Sequence, residues 1–296
     1  MSHVPVLLNE VIKFLAPKAE DVILDATIDG GGHAAAICEY LKPKGKLIGI
    51  DQDSKLLKAA ELKMKNAKCK IILLNGNFRD IDKLLEPFKI RSIDAALFDL
   101  GMSSYQLEES GRGFTFKKDE PFLMTYKFPI NPEDLTAEEI LNTWSEKDIA
   151  DILFKYGEER YARRIARNIV LRRQKNSFKT TFDLVEAIKR SVPHRPWQKI
   201  NPATKTFQAL RIAVNDELRA LTESLEKVWQ FFIPGSRLVI ISFHSLEDRI
   251  AKNFLKTKEK EGLAKIKTKK PVTPRAEEIL SNPRSRSAKL RAAINI

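Results

Sequence analysis

The chain has 296 residues, too many for a minimal domain and suited to one large domain or two modest ones. Hydrophobic residues at 43% and charged residues at 31% are ordinary globular usage, which argues against a wholly disordered chain. A net charge of +13 points to a polyanionic partner, nucleic acid ahead of an anionic membrane surface, while no apolar run of about 18 residues and no signal-like start is present.

In chain order, the first hundred residues alternate strand and helix patterns. Val22–Leu24, Leu47–Ile50, Ile71–Leu74 and Ala95–Phe98 are short and almost wholly apolar, as strands buried on both faces of a parallel sheet should be. Helical stretches are predicted between them, at His33–Leu41 and at Ser54–Lys65, where Leu56, Leu57, Ala60 and Met64 share a face. This βαβαβ order predicts a doubly wound sheet. From about Tyr105 to Phe207 the pattern turns helical. Thr136, Ser145 and Thr180 each precede an acid by three residues, the spacing of a capping box, and Gly157 is expected to stop a helix at C′. The α/β pattern then returns: a long helix over Ala213–Phe232, a turn at Pro234–Gly235, a strand over Arg237–Phe243, and a helix over Ser245–Lys256 capped by Ser245 with Asp248 at N3. Turns at Pro271, Pro274 and Pro283 lead to an alternating stretch at Leu290–Ile296.

Charge is concentrated in two places. Arg160 to Lys179 holds eight basic residues and no acid, and Lys252 to Arg291 carries 13 basic and four acidic residues. In the first, Arg160, Arg163, Arg164 and Arg167 lie on a helix face opposite Ala162, Ile165, Ala166 and Ile169, so this is either a solvated face or a phosphate-contacting one.

The chemistry-bearing residues fall at predicted strand ends. Asp25-Ala-Thr-Ile-Asp29-Gly-Gly-Gly-His33 follows the first strand and opens a helix, where glycines permit close backbone approach to a ligand. Asp51 ends the second strand, placed to accept hydrogen bonds from both ribose hydroxyls of a nucleoside cofactor. A nicotinamide cofactor and S-adenosyl-L-methionine both suit this arrangement. Asp99-Leu-Gly-Met-Ser-Ser104 ends the fourth strand beside the expected switch point, and suits contact with a substrate amino group or merely caps the strand.

These blocks recur in order with others: Arg112-Gly-Phe-Thr-Phe116, Tyr156-Gly-Glu-Glu159, Pro202-Ala-Thr-Lys-Thr-Phe-Gln-Ala-Leu-Arg211, Asn215-Asp-Glu-Leu218, Ser242-Phe-His-Ser-Leu-Glu-Asp-Arg249 and Asn282-Pro-Arg-Ser-Arg-Ser-Ala-Lys-Leu-Arg291. Together they resemble the RsmH (MraW) family of ribosomal RNA cytosine-N4 methyltransferases, from His3 to the C-terminus. The resemblance implies a Rossmann-like α/β methyltransferase domain made of residues 1–106 and 210–296, with a helical substrate-recognition domain inserted at 107–209. It implies S-adenosyl-L-methionine as cofactor, held by Gly31, Gly32, His33, Asp51, Phe78, Asp99 and Gln106. It further implies N4-methylation of one cytidine in the decoding region of 16S rRNA. An acceptor for an N4–H bond would favour the pyramidal amine, which makes Asp99 the catalytic candidate, with Ser103 orienting the base. The small ribosomal subunit is the expected partner, a homodimer is left open, and the expected setting is cytoplasmic, without membrane. A nicotinamide-dependent oxidoreductase and a catalytically silent RNA-binding relative are the competing readings. Two departures from the family pattern stand out. Asp29 occupies a position usually held by Gly, which reduces backbone freedom there, and Leu123 and Thr125 replace an Asp–Arg pair.

The remaining candidates carry less. Ser242-Phe-His-Ser245 lacks the Gly-x-Ser-x-Gly of a hydrolase elbow, so His244 is structural or pocket-lining. The four histidines show no ligand spacing, and no metal is expected. Cys38 and Cys69 read as isolated thiols in a reducing compartment, and neither sits where a cytosine-C5 nucleophile would. Trp144 and Trp229 are expected in cores, and Trp197 in a Pro-rich loop beside basic residues, as anchor or base-stacking platform.

Overall fold

A computed structural model describes residues 4–193 and 201–296, so the expectations for His3, His194 and Trp197 lie outside the described residues. The chain divides into two compact units, residues 1–101 with 218–296, and residues 102–217.

The first unit opens with helix α1 (Leu8–Leu15), then alternates β1 (Val22–Asp25), α2 (Gly32–Cys38), β2 (Lys46–Asp51), α3 (Ser54–Lys63), β3 (Lys70–Asn75), α4 (Ile81–Leu85) and β4 (Ile93–Asp99). The second unit holds α5 (Ser104–Glu108), α6 (Ala137–Thr143), α7 (Glu146–Gly157), α8 (Ala162–Arg173), α9 (Thr181–Ser191) and α10 (Ala203–Asn215). Then follow α11 (Glu217–Trp229), β5 (Phe232–Ser242), α12 (Ser245–Lys260), β6 (Ala264–Ile266), α13 (Ala276–Ser281) and β7 (Lys289–Asn295).

The strands form one sheet in the order β3-β2-β1-β4-β5-β7-β6. The first five are parallel, and β7 runs antiparallel between β5 and β6. The sequence order reverses at β1, between β2 and β4, so β1 is the switch point of a doubly wound sheet. Side chains alternate between faces. Leu24, Ile48, Phe98 and Ile240 enter one core with Leu225 and Trp229, whereas Ile23, Leu47, Leu97 and Ile241 enter the other with Leu15 and Ile37. Covering both faces is why the strands read as continuous apolar runs. Each fully buried Leu or Ile contributes about 1.5–3 kcal/mol.

Four local expectations change. The long helix over Ala213–Phe232 is interrupted: α10 ends at Asn215, Asp216 is left-handed (φ 48°), and α11 starts at Glu217. The Asn215 side chain ends α10 by donating to the Arg211 and Met124 carbonyls. Arg211 pairs with Glu217 across the break, at 2.9 Å on both guanidinium contacts. Pro234–Gly235 lies inside β5 as an irregularity, with Gly235 at φ 91° and Ser236 donating to the Ile93 carbonyl, so the strand begins at Phe232. The cap of α12 is shifted by one residue: His244 is the N-cap, and the Glu247 carboxylate accepts from the Phe243 and His244 N–H groups. Asp248 instead accepts from Arg291 in β7. Gly157 is the last residue of α7 rather than C′; Glu158 takes the left-handed position at φ 49°. The physical need for Gly157 is packing, since a Cβ there would stand 2.6 Å from the Lys205 carbonyl oxygen of α10.

In the second unit, Thr136 and Ser145 cap their helices as the spacing predicts, and Asp183 closes back on the Thr180 N–H. Phe122, Phe178, Leu153, Ile165 and Leu210 anchor its core, with half-buried Trp144 against it. Trp229 is buried in the first unit, edge-on to Phe254. The segment around Leu123 and Thr125 is held through its backbone. Arg112 donates to the carbonyls of Thr125, Tyr126 and Lys127, and Asn215 grips the Met124 carbonyl and the Tyr126 N–H. The buried Thr125 side chain adds to this hold, its Oγ1 accepting from the Lys127 N–H at 3.3 Å.

Candidate active site

Three strands of the first unit end in an acid: β1 at Asp25, β2 at Asp51 and β4 at Asp99. Parallel pairing of β1 with both neighbours brings these ends to one edge of the sheet, at the switch point. The loop after β1 is shaped by those acids. Asp51 Oδ2 accepts from the Asp29 N–H at 3.0 Å, and Oδ1 from the Asp53 N–H at 2.8 Å. Asp29 is left-handed, φ 48°, so it adopts the backbone that a Gly would favour at this position, a conformation Asp tolerates better than most residues. A strand-end carboxylate in this position is suited to accept hydrogen bonds from ribose hydroxyls.

The glycines divide by role. Gly31 is the left-handed N-cap of α2 at φ 77°, and a Cβ on it would stand 3.0 Å from Ala60 Cα; one on Gly32 would stand 2.8 Å from Pro5. Both are required by packing within the protein. Gly30 meets nothing within 4 Å and leaves the loop backbone facing open space.

His33 and Asp99 form the centre of the site. His33 Nε2 lies 2.9 Å from the Val6 carbonyl oxygen, which fixes Nε2–H as donor and leaves Nδ1 bare, 3.4 Å from Asp99 Oδ2. The Asp99 N–H donates to Thr27 Oγ1 at 2.7 Å. Asp99 Oδ1 is buried with no hydrogen-bond partner among the described residues. Burial, reinforced by Glu247, pushes the Asp99 carboxyl up to about 8. Burial likewise pushes Asp25 up to about 7, opposed by His33. Asp29 is raised well above the usual carboxylate range by burial and then by Asp51 and Asp99, and burial lowers His33. The sequence motif includes Asp25 and Thr27 without giving either a role; the structure places Asp25 in the acid cluster and Thr27 as acceptor for the Asp99 N–H.

Phe78 follows β3 and is half-buried, edge-on to Phe98 at 5.8 Å, with part of its ring exposed. Ser103 and Gln106 belong to the second unit, where they cap α5 reciprocally. Ser103 Oγ accepts from the Gln106 N–H at 3.0 Å, and Gln106 Oε1 accepts from the Ser103 N–H at 2.9 Å. The Ser103 hydroxyl hydrogen and the Gln106 amide N–H groups are not used in this box.

The donor set favours a cationic ligand. An unpartnered carboxylate oxygen, three further acids and no lysine or arginine among these loop residues suit the sulfonium and ammonium of S-adenosyl-L-methionine. The same acids oppose the anionic pyrophosphate of a nicotinamide cofactor, so the loose Gly30-x-Gly32-x-x-Ala35 match does not describe the chemistry of this loop.

Residues 1–296 match the MraW methylase family. A protein of Thermotoga neapolitana named ribosomal RNA small subunit methyltransferase H is 48% identical over 98% of this chain and 95% of its own length. One of the same name from Kosmotoga olearia is 46% identical over 100% of this chain and 98% of its own. A solved rRNA methylase from Streptococcus thermophilus aligns over 100% of this chain and 99% of its own, with 11% identity and a TM-score of 0.48. With strand-end acids around a switch point and a family match across its whole length, the chain belongs to the MraW methylase family, enzymes that take their methyl group from S-adenosyl-L-methionine.

Proposed function

We propose that the chain methylates small-subunit ribosomal RNA at the exocyclic N4 of one cytidine in the decoding region. The observation that carries the chemistry is Asp99, whose Oδ1 is buried and unpartnered while Oδ2 faces a bare histidine nitrogen. The bound cofactor supplies an electrophilic methyl group on a positively charged sulfur. The N4 lone pair is conjugated into the ring, so the protein must favour its pyramidal form. Asp99 Oδ1 is suited to accept an N4–H hydrogen bond that strengthens as positive charge develops on nitrogen. Forming the N–CH3 bond leaves one N–H proton to remove. Asp99 takes that proton, and His33 Nδ1 shares it, held in register by the Nε2–H bond to Val6. Ser103 retains its hydroxyl hydrogen for orienting the base. Methylation at C5 would instead need a thiolate nucleophile, whereas Cys38 and Cys69 are buried, and burial pushes the Cys38 thiol up.

In this reading Asp51 holds the ribose, Phe78 stacks on adenine through its exposed face, and Gly30–Gly32 carry the methionine end past the loop. Gln106 adds an amide contact. Residues 102–217 and the basic tail grip RNA, through exposed Arg163, Arg164 and Arg167 on α8. Arg172 and Arg173 are engaged within the unit, by Asp183, Glu186 and the Leu141 carbonyl.

Nucleoside mass spectrometry of small-subunit rRNA, before and after treatment with the protein, tests the proposal. N4-methylcytidine is the expected product, and 5-methylcytidine would reject the amine as acceptor. Asp99→Asn should lower the single-turnover rate at saturating cofactor at least about tenfold, or 1.4 kcal/mol. A normal rate would reject Asp99's role.

A further inference from the structure

The two cysteines are not isolated. Cys69, just before β3, places its Sγ 3.4 Å from Sγ of Cys38, the last residue of α2. Met64, the C-cap of α3, brings its Sδ to 3.8 Å from Cys38 Sγ. Cys38 thus gathers the sulfurs of Met64 and Cys69, from the short connection between α3 and β3, at the end of α2 remote from the cofactor loop. All three residues are buried, with relative exposures of 7%, 8% and 3% for Cys38, Cys69 and Met64.

We propose that Cys38, Cys69 and Met64 form a three-sulfur site for a soft monovalent ion of the copper(I) and silver(I) type. Three sulfurs about 2.3 Å from a central ion in one plane stand about 4.0 Å apart. The two separations measured from Cys38, 3.4 Å to Cys69 and 3.8 Å to Met64, lie close to that spacing. The ligand types select the ion. Two thiols and a thioether are soft donors, which favour copper(I). Structural zinc wants four ligands, and among the described residues no carboxylate, histidine or further thiol joins this pair to make a larger cluster.

Access and charge agree with that choice. Met64 lines two surface hollows, one of about 670 Å³ that reaches Cys69 and one of about 390 Å³ that reaches Cys38. Lys58 and Lys65 line the first, and Lys63 and Lys68 the second. Binding replaces two S–H bonds by two metal–sulfur bonds, adds the thioether, and releases two protons to solvent. The oxidation state of the ion is unchanged. The product, two thiolates and one monovalent cation, carries a single negative charge, which the flanking lysines complement.

The test is an anaerobic titration of the reduced full-length protein with acetonitrile-stabilised copper(I), competed by a chelator of known affinity. It is read by native mass spectrometry and near-ultraviolet sulfur-to-copper absorption. One ion per chain is expected, lost in Cys38→Ala and Cys69→Ala, and weakened at least about tenfold in Met64→Leu, which keeps volume and apolarity. Melting curves without metal identify any variant that fails to fold, and Met64→Leu then decides. Wild-type-like binding in Met64→Leu, absence of a chelator-resistant ion, or equally tight zinc binding would each overturn the proposal.

Discussion

Binding of S-adenosyl-L-methionine is expected to expel protons from the acid cluster. At pH 7 a carboxyl pushed up to about 7 is about half protonated, and one at about 8 is roughly nine-tenths protonated; these are Asp25 and Asp99. A sulfonium and an ammonium placed against them favour the ionised forms. Return of both to the ordinary carboxylate range releases roughly 1.4 protons per cofactor bound at pH 7. The logarithm of the association constant should then rise about 1.4 per pH unit near pH 7 and flatten above about pH 9. Calorimetry in phosphate and in Tris, whose ionisation enthalpies differ widely, reads the proton number from the change in apparent binding enthalpy. Asp99→Asn should release fewer protons than the wild type, since it removes the share of Asp99 and also its part in raising Asp25. The same raised carboxyls give the stability of the cofactor-free protein the opposite pH dependence. Carboxyls whose folded values are raised stabilise the fold below about pH 4, and that contribution is lost as pH rises through about 7 to 8. Its melting temperature should therefore fall from pH 5 to pH 8 in the acid-cluster component, and cofactor should flatten the slope. Proton uptake on binding, or identical apparent enthalpies in the two buffers, would refute the electrostatic account.

Asp51→Ala removes the acceptor for the Asp29 and Asp53 N–H groups as well as for the ribose, and should weaken cofactor binding about 10- to 100-fold, corresponding to roughly 1.5–3 kcal/mol; an unchanged calorimetric affinity would contradict this. Reversing Arg163, Arg164 and Arg167 to Glu should leave cofactor affinity intact while lowering the salt slope of RNA binding by roughly 2–3, as measured by fluorescence anisotropy. Persistence of the slope would make that face of α8 a solvated surface only. Gly157→Ala adds a methyl 2.6 Å from the Lys205 carbonyl and should destabilise by about 1–2 kcal/mol after the helical preference for Ala is credited, visible as a lower denaturant midpoint.

The strands were legible because a parallel sheet covered on both faces demands unbroken apolar runs, and Asp25, Asp51 and Asp99 stand out at their ends. Helix caps at Thr136 and Ser145 were equally plain, since one side chain and one N–H three residues on suffice to make them. What depended on distant partners was not. The break at Asp216 rests on Asn215 reaching Met124, 91 positions away. The shifted cap at His244 follows from Arg291 drawing Asp248 toward β7. The Cys38, Cys69 and Met64 cluster joins three elements whose spacing in sequence carries no metal motif. Asp29 looked like a constraint on its loop, yet it occupies the glycine-like conformation, held by a carboxylate from the neighbouring strand.

The placement of β5 and β7 has a consequence for the nascent chain. β4 ends at Asp99, and its outer neighbour β5 begins at Phe232. At translation rates of roughly 5–20 residues per second, β4 waits roughly 7 to 27 s for that partner. Residues 102–217 are contiguous and can fold during this interval, while the four strands already made present an apolar edge at Ala95–Phe98. The strand that completes the interior of the sheet, β7, is the last strand synthesised, at Lys289–Asn295, and it enters between β5 and the residues of β6, whose pairing partner it is. The half-finished sheet is thus the vulnerable species during synthesis, and its lifetime is set by the number of residues between β4 and β5.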